Sequence, residues 1–301
     1  MTVLEAIQKS ADFLAKKNVE SARLQAELLL AHQLKMPRMK LYLNFDRQLT
    51  AAETDGLREL VKRRAAREPL QHIVGTTSFC GFEIAVNRHA LVPRPETELL
   101  AELGGKFLST ISSEPATVLD FGTGTGCISI ALAAKCPHAK IVALDISADA
   151  LELAKQNAAA NKVSERIEFL QSDGFETVGQ ASSLSRIEKE KLETGKMPVL
   201  QFDLLISNPP YIASAEIETL EPEVRDFDPR AALDGGADGL DFYRLLAAQA
   251  KSFLKPHGKI MLEFGDGQAE AIRKIFENEK WIVEAVQADY SQHERVLIAK
   301  Q

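Results

Sequence analysis

The sequence contains few of the residues that mark extracellular, metal-dependent or membrane proteins. Its three cysteines, Cys80, Cys127 and Cys136, form no CxxC pair and no even disulfide framework, which favours a reduced compartment. The six histidines fall outside metal-ligand spacings. No apolar run approaches the roughly 18 residues of a membrane span, and residues 1–10 lack the apolar core of a signal peptide. We therefore predict a cytoplasmic protein without a metal site or a membrane partner.

The chain also lacks an excess of positive charge. Its 301 residues carry a net charge of −7, which argues against a dedicated nucleic-acid binder. Residues 1–72 carry 13 Lys and Arg against 9 Asp and Glu, whereas the remainder carries 23 against 34. Such an asymmetry indicates two units with different partners. The hydrophobic share of 45% is ordinary for a globular protein.

The order of predicted elements indicates an α/β protein with a helical start. Apolar residues recur at helical spacing over residues 1–70, and the last helix ends in a basic run, residues 62–67. This run is open to two interpretations, a docking surface or a solvated helix end. Residues 71–92 predict a β-hairpin. Strands then alternate with helices, which favours a parallel sheet covered on both faces, with one antiparallel strand near the end. The segment 176–201 predicts a long, mobile, charged insertion.

A glycine-rich loop follows the first strand of the predicted sheet and reads Asp-Phe-Gly-Thr-Gly-Thr-Gly over residues 120–126. Glycine permits positive φ and a close approach of ligand to backbone. The dinucleotide fingerprint, Gly-x-Gly-x-x-Gly, fails in both frames because its last position falls on Cys127 or Ser129. The spacing instead resembles the first motif of S-adenosylmethionine-dependent methyltransferases.

Carboxylates after the next two strands favour an adenosine ligand. Asp145 stands 21 positions after Gly124 at a strand end, where a carboxylate can accept both ribose hydroxyls. Asp173, after the third strand, is placed to accept a hydrogen bond from the adenine amino group. Phe175 is predicted to form an apolar wall beside it.

The fourth strand is followed by Asn208-Pro209-Pro210-Tyr211. The two prolines fix φ and force the preceding residue out of the helical region, so the bend is rigid. If Asn208 Oδ1 accepts one N–H of a planar amino or amide group and a backbone carbonyl accepts the other, the nitrogen lone pair points at a methyl donor. The same oxygens stabilise the positive charge that develops on nitrogen.

Over essentially its full length the sequence resembles the peptide chain release factor glutamine N5-methyltransferases, the PrmC/HemK family. Asn-Pro-Pro-Tyr alone is shared with N6-adenine DNA enzymes and other methyltransferases of planar amino groups. The stretches that carry the resemblance are residues 68–72, 92–98 (Val-Pro-Arg-Pro-Glu-Thr-Glu), 120–126, 207–212, 220–230 and 232–240. Of these, 92–98 and the segment after the tyrosine are the most specific.

The resemblance implies an N-terminal helical domain for substrate recognition (1–70), a hairpin linker (71–92) and a seven-stranded Rossmann-like methyltransferase domain (93–301). It implies S-adenosyl-L-methionine as methyl donor, S-adenosyl-L-homocysteine as product, and the glutamine of the release-factor Gly-Gly-Gln motif as acceptor. The implied cofactor site comprises Gly122, Thr123, Gly124, Thr125, Gly126, Asp145, Asp173, Gly174, Phe175 and Asn208. The implied substrate site comprises Arg94, Glu96, Asn208, Pro209, Pro210 and Tyr211, with Asn208, Pro209 and Tyr211 as catalytic residues.

Three alternatives remain at this point. A ribosomal-protein glutamine methyltransferase would use the same motif with a different N-terminal part, and an N6-adenine DNA methyltransferase would need a basic groove. A non-catalytic binding module would keep the fold only. Two further features stay open: Gly174 stands where the family often has an aromatic residue, and the acidic residues 221–228 either order a substrate loop or are solvated. We expect a monomer without a stable nucleic-acid partner.

Overall fold

The computed structural model describes residues 1–111, 115–178 and 201–301, which form two compact units. The first unit comprises residues 1–76 together with 220–227, and the second comprises 77–219 and 228–301. Most of the insertion predicted at 176–201 therefore lies outside the described residues. Within the described part of the chain, the helices are too short or too polar to cross a membrane.

The first unit is helical, as the apolar spacing predicts. Its helices are α1 (Val3–Ala15), α2 (Ala22–Gln33), α3 (Arg38–Tyr42), α4 (Ala51–Ala65), α5 (Leu70–Val74) and a single turn at Pro222–Arg225. Thr2 and Thr50 begin α1 and α4 with capping boxes: each hydroxyl accepts from the backbone of a glutamate three positions on, and that glutamate's carboxylate accepts in return. Leu14, Leu29 and Leu30 are fully buried in the core of this unit.

The basic run at the end of α4 forms ion pairs within the first unit. Arg64, whose side chain is 5% exposed, donates to Glu223 at 2.6 Å, and Arg67 donates to both Glu223 and Glu221. Although burial raises the pKa of Glu223, the hydrogen bonds from Arg64 and Arg67 bring it below its ordinary value. Arg64 and Arg67 are therefore neither a solvated helix end nor an unpaired basic surface for docking. Their guanidinium groups form ion pairs with Glu221 and Glu223 in the segment 220–227.

Replacing Arg64 with leucine is expected to destabilise the protein by about 2 kcal/mol, because a buried charge pair loses one partner. Arg58→Leu on the same helix is the matched control, since its partner Asp55 and Arg58 itself are both more than half exposed. That control is expected to cost below about 0.5 kcal/mol. Urea unfolding measures both, and equal losses would contradict the structural role of the buried pair.

The second unit contains the central sheet. A hairpin of β1 (Thr76–Phe79) and β2 (Phe82–Ala85) comes first. The sheet strands are β3 (Ala116–Phe121), β4 (Ala139–Asp145), β5 (Ile167–Gln171), β6 (Phe202–Ser207), β7 (Leu254–Glu263), β8 (Ile282–Ala288) and β9 (Glu294–Lys300). They run in the order β5-β4-β3-β6-β7-β9-β8, with β3 to β7 parallel and β9 antiparallel to both neighbours. The predicted seven-stranded Rossmann-like fold is confirmed.

Helices cover the sheet, and its central strands are buried. The covering helices are α6 (Thr97–Leu108), α7 (Cys127–Lys135), α8 (Ala148–Ala160), α9 (Asp241–Gln249) and α10 (Ala269–Asn278). Every residue of β3 and β6 is buried. Leu204 and Ile206 of β6 pack into one apolar cluster, whereas Leu205 between them packs into another, since successive side chains point to opposite faces. Such continuous apolar strands are typical of a parallel sheet between helices.

The strand order reverses between β3 and β6. From β3 the chain adds β4 and β5 on one side, and then returns to place β6 on the other side of β3. Open parallel sheets bind ligands in the crevice outside the carboxyl ends of the strands at such a reversal. The residues that follow β3, β4, β5 and β6 are therefore placed to share one site.

Candidate active site

A cavity of about 270 Å³ lies at the carboxyl ends of these strands. Among the residues that line it are most of those predicted: Arg94, Gly122, Thr123, Gly124, Thr125, Asp145, Asp173, Gly174, Asn208, Pro209 and Pro210. Of the predicted residues, Glu96, Gly126, Phe175 and Tyr211 do not belong to this lining. The structure thus brings together the loop after β3, the ends of β4 and β5, and the proline bend after β6.

The glycine loop after β3 leaves its backbone open to the cavity. Gly122 has φ +74°, and a Cβ built there would meet no heavy atom of the described residues within 4 Å. A ligand can therefore approach the backbone at this point. Gly126 differs, because a Cβ there would lie 3.1 Å from Ala154 Cβ on α8. Gly126 accordingly allows close packing of the loop on α8, and its predicted contact with the cofactor stays a prediction.

Asp120, at the start of the glycine loop, fixes the loop through side-chain hydrogen bonds. It is fully buried, and its Oδ2 accepts from the hydroxyls of Thr123 at 2.7 Å and Ser129 at 2.6 Å. Burial raises the pKa of Asp120 to about 6, although the two hydroxyls oppose this. These bonds tie the loop to the start of α7, and so fix the path of residues 122–126.

Asp145 lines the cavity at the end of β4, and both of its carboxylate oxygens accept a backbone hydrogen bond. Oδ2 accepts from the amide of Gly124 and Oδ1 accepts from that of Ser147, each at 2.9 Å. Burial raises the pKa of Asp145, and these backbone bonds oppose it. Since a carboxylate oxygen can accept more than one hydrogen bond, each keeps capacity for a hydroxyl. The arrangement fits a vicinal diol such as ribose.

The residues after β5 differ from the prediction at one position. Asp173 is exposed and lines the cavity together with Gly174. Phe175 instead lies in the core. Its ring stacks on that of Phe253 with the ring centroids 4.6 Å apart, and its centroid lies 5.1 Å from that of Phe121. Its aromatic partners thus hold the Phe175 ring outside the cavity lining, and the predicted adenine wall at Phe175 stays a prediction.

The proline bend after β6 is held at both ends. Ser207 Oγ donates to the backbone oxygen of Phe121 at 2.6 Å, and the backbone oxygen of Tyr211 accepts from Gln268 at 2.9 Å. The Tyr211 ring packs on Gly265, where a Cβ would lie 2.9 Å from the ring. Tyr211 thus braces the bend. Its predicted contact with substrate stays a prediction.

Asn208 is oriented by a buried hydroxyl. Its Nδ2 donates to Thr97 Oγ1 at 3.1 Å, and Thr97 is 3% exposed. The nitrogen of the carboxamide is therefore engaged by the protein, and the oxygen is the acceptor end of the group. An acceptor held in this way suits an N–H of a substrate.

Arg94 lines the cavity and is held by a buried partner. It donates to Asp228 at 2.7 Å, and the Asp228 side chain is 2% exposed. Burial raises the pKa of Asp228, whereas Arg94 and the amide of Val92 lower it. Asp228 is therefore not solvated. Glu96 is exposed at the first turn of α6, outside the cavity lining.

Comparison with known proteins decides between the methyltransferase classes. Residues 5–75 match the family described as PrmC N-terminal domain, and residues 112–300 match a methyltransferase domain family. The release factor glutamine methyltransferase of Geobacter sulfurreducens is 42% identical over 277 residues, which cover 91% of this chain and 88% of that protein. The chain belongs to the release factor glutamine methyltransferase family. The same-named protein of Chlorobaculum tepidum is 38% identical and covers 98% and 96% of the two chains.

Membership of this family makes the protein an S-adenosylmethionine-dependent enzyme, and the cavity fits that donor. The open backbone at Gly122 admits a ligand, and the Asp145 carboxylate keeps acceptor capacity for a diol. When bound, S-adenosylmethionine supplies the methyl group. The predicted fold, enzyme class and cofactor are all confirmed.

Two polar residues beside Asn208 were not predicted from the sequence to belong to the site. Thr97 orients Asn208, and Glu263, the last residue of β7, is 2% exposed beside both. The signal for Glu263 was a single carboxylate within the otherwise apolar stretch Ile260–Phe264. The signal for Thr97 was weaker, since the motif 92–98 marks the segment without marking this hydroxyl.

Proposed function

We propose that the protein transfers a methyl group to the side-chain nitrogen N5 of the glutamine in the Gly-Gly-Gln motif of peptide chain release factors. The observation that carries this is the fixed carboxamide of Asn208 at the cavity, with Nδ2 engaged by Thr97 and Oδ1 as its acceptor end. A primary amide has two N–H donors, so a pair of fixed acceptors suits it.

The chemistry needs position and electrostatics more than a nucleophile. Asn208 Oδ1 accepts one N–H of the glutamine amide, and a backbone carbonyl of the bend accepts the other. As the N–C bond forms, the sulfur–methyl bond of the donor would break and leave its electron pair on sulfur, so S-adenosylhomocysteine would be the leaving group. Positive charge grows on the nitrogen in this step, and both oxygens stabilise it. The product carries a methyl group in place of one N–H, and the displaced proton leaves to solvent.

The cavity residues divide between the two ligands in this proposal. Residues 122–125 contact the methionine part of the cofactor, Asp145 binds the ribose hydroxyls, and Asp173 with Gly174 lies at the adenine edge. Arg94 and the proline bend contact the glutamine side. Residues 1–70 recognise the release factor, which is consistent with their match to the PrmC N-terminal domain and favours this acceptor over a ribosomal protein or DNA.

The direct test is incubation of the protein with methyl-labelled S-adenosylmethionine and a purified release factor, followed by mass spectrometry of the Gly-Gly-Gln peptide. We expect one methyl group on the glutamine. A release factor with alanine at that glutamine is the control and is expected to take no label. Label on a ribosomal protein or on DNA, with none on the release factor, would overturn the proposed acceptor.

A further inference from the structure

Glu263 is a buried carboxyl that the proposed chemistry does not use. It ends β7, is 2% exposed, and its Oε2 is buried with no hydrogen-bond partner among the described residues. Ser207 on β6 pairs with Leu262 on β7, so Glu263 lies beside Asn208 at the same end of the sheet, and Thr97 and Asn208 both lower its pKa. Burial of an incompletely bonded carboxyl costs free energy, so its presence beside the bend calls for a reason.

The charge of Glu263 limits which of these groups can donate a hydrogen bond and which can accept one. A carboxylate only accepts hydrogen bonds, whereas a hydroxyl donates one and accepts others. An ionised Glu263 would accept the Thr97 hydroxyl proton, and Thr97 Oγ1 would then be left to accept. The neighbour that donates to it is Asn208 Nδ2, at 3.1 Å. A negative charge on Glu263 would therefore favour the nitrogen end of the Asn208 carboxamide facing Thr97.

We propose that Glu263, acting through Thr97, is a positioning residue that keeps the Asn208 oxygen available to the substrate amide. The inference rests on the proposed function, since it assigns Asn208 Oδ1 an N–H donor. If the carboxamide turned over, its NH₂ group would face the N–H groups of the glutamine, and two donors cannot bond to each other. A group that excludes this orientation raises the fraction of productive enzyme.

The relay predicts a pH dependence whose sign follows from the charge. Burial raises the pKa of Glu263 to about 7; Thr97, Arg295 and Asn208 lower it, and Glu96 raises it. Below that pKa the carboxyl carries a proton, can donate to Thr97, and no longer enforces the direction of the bonds. The fraction of correctly oriented Asn208 therefore falls as the pH drops through about 7.

The other titratable and charged groups that face Glu263 are Arg295 on β9, Tyr211, Tyr243 and Glu96. Tyr211 after β6 and Tyr243 on α9 have pKa values raised by burial above their ordinary value, so both stay neutral. Glu96 lies at the exposed start of α6. A titration of the rate near pH 7 that disappears when Glu263 is neutral is thus specific to this carboxyl.

The test uses the full-length protein with a release factor and measures kcat, KM and cofactor affinity between about pH 6 and pH 9. In Glu263→Gln the side chain can donate as well as accept, so kcat at pH 8 is expected to fall about 10-fold and the acid limb of the wild-type profile to vanish. Cofactor affinity is expected to stay unchanged. Glu277→Gln on the exposed end of α10 is the matched control.

Variants of Thr97 provide a second test of the positioning role. Thr97→Val removes the hydroxyl at nearly constant volume and is expected to lower kcat to the same extent as Glu263→Gln. Thr97→Ser keeps the hydroxyl and is expected to rescue most of kcat. Because both changes break one relay, the double variant Glu263→Gln/Thr97→Val is expected to be no slower than either single variant.

The outcomes separate the two proposals. Absence of release-factor methylation by the wild type at every pH would overturn the proposed function itself. An active wild type together with a Glu263→Gln variant of unchanged kcat and pH profile would overturn the positioning role alone. If Glu263→Gln does not fold, the Thr97 pair decides, because equal kcat values for Thr97→Val and Thr97→Ser would also overturn it.

Discussion

Replacing Asn208 with alanine is expected to lower kcat for release-factor methylation by about 10²-fold or more, with cofactor affinity unchanged. The change removes one preorganised acceptor for the amide N–H, and loss of a single such group costs on this order in other enzymes. The change leaves Asp145 and its bond to the Gly124 amide in place, so the proposed cofactor contacts are unaltered. Single-turnover transfer and cofactor titration measure the two quantities separately.

The controls for this variant address folding and chemistry. Asn278→Ala, at the exposed end of α10, removes the same group away from the cavity and is expected to leave kcat unchanged. An Asn208→Asp variant keeps an acceptor oxygen but adds charge beside Glu263, so we expect it to be slow as well. Wild-type kcat in Asn208→Ala would show that Asn208 does not hold the substrate amide.

The sheet and much of the cavity could be predicted because their signals are local. A strand such as β6 is a short apolar run, and its end is marked by the residues that follow. Asp145 could be placed because the distance from Gly124 reflects one strand–helix–strand unit. Their meeting at one edge then follows from the parallel sheet, without any knowledge of side-chain contacts.

The contacts that the sequence did not predict join residues far apart along the chain. Phe175 stands two positions after the cavity residue Asp173, but its ring stacks on Phe253. The bond between Asn208 and Thr97 spans 111 positions. The ion pair of Arg64 with Glu223 spans 159 positions and places residues 220–227 in the first unit. Tertiary packing determines which of these distant residues meet. The spacing of residues along the chain therefore does not predict such pairs.

Asp145→Ala is expected to weaken S-adenosylmethionine binding by about 10²-fold. The ribose diol would lose its charged acceptor, and each hydrogen bond to a charged group contributes about 1.5–3 kcal/mol. Because Asp145 is partly desolvated, as the raised pKa indicates, water replaces those bonds poorly. The expected loss is in Kd for the cofactor, and kcat at saturating cofactor is expected to change much less, since Asn208 and Thr97 are not altered.

Asp145 also accepts from the amides of Gly124 and Ser147, so a structural contribution has to be separated from ribose binding. Comparison of S-adenosylhomocysteine with an analogue lacking the ribose hydroxyls does this. If Asp145 binds the diol, the analogue is expected to have almost the same Kd for the wild type and for Asp145→Ala. The Kd of S-adenosylhomocysteine, which has both hydroxyls, is expected to rise by the whole of about 10²-fold in the variant. An equal loss for both ligands would mean that Asp145 only shapes the glycine loop. Asp149→Ala, exposed on α8, controls for the loss of negative charge near the cavity.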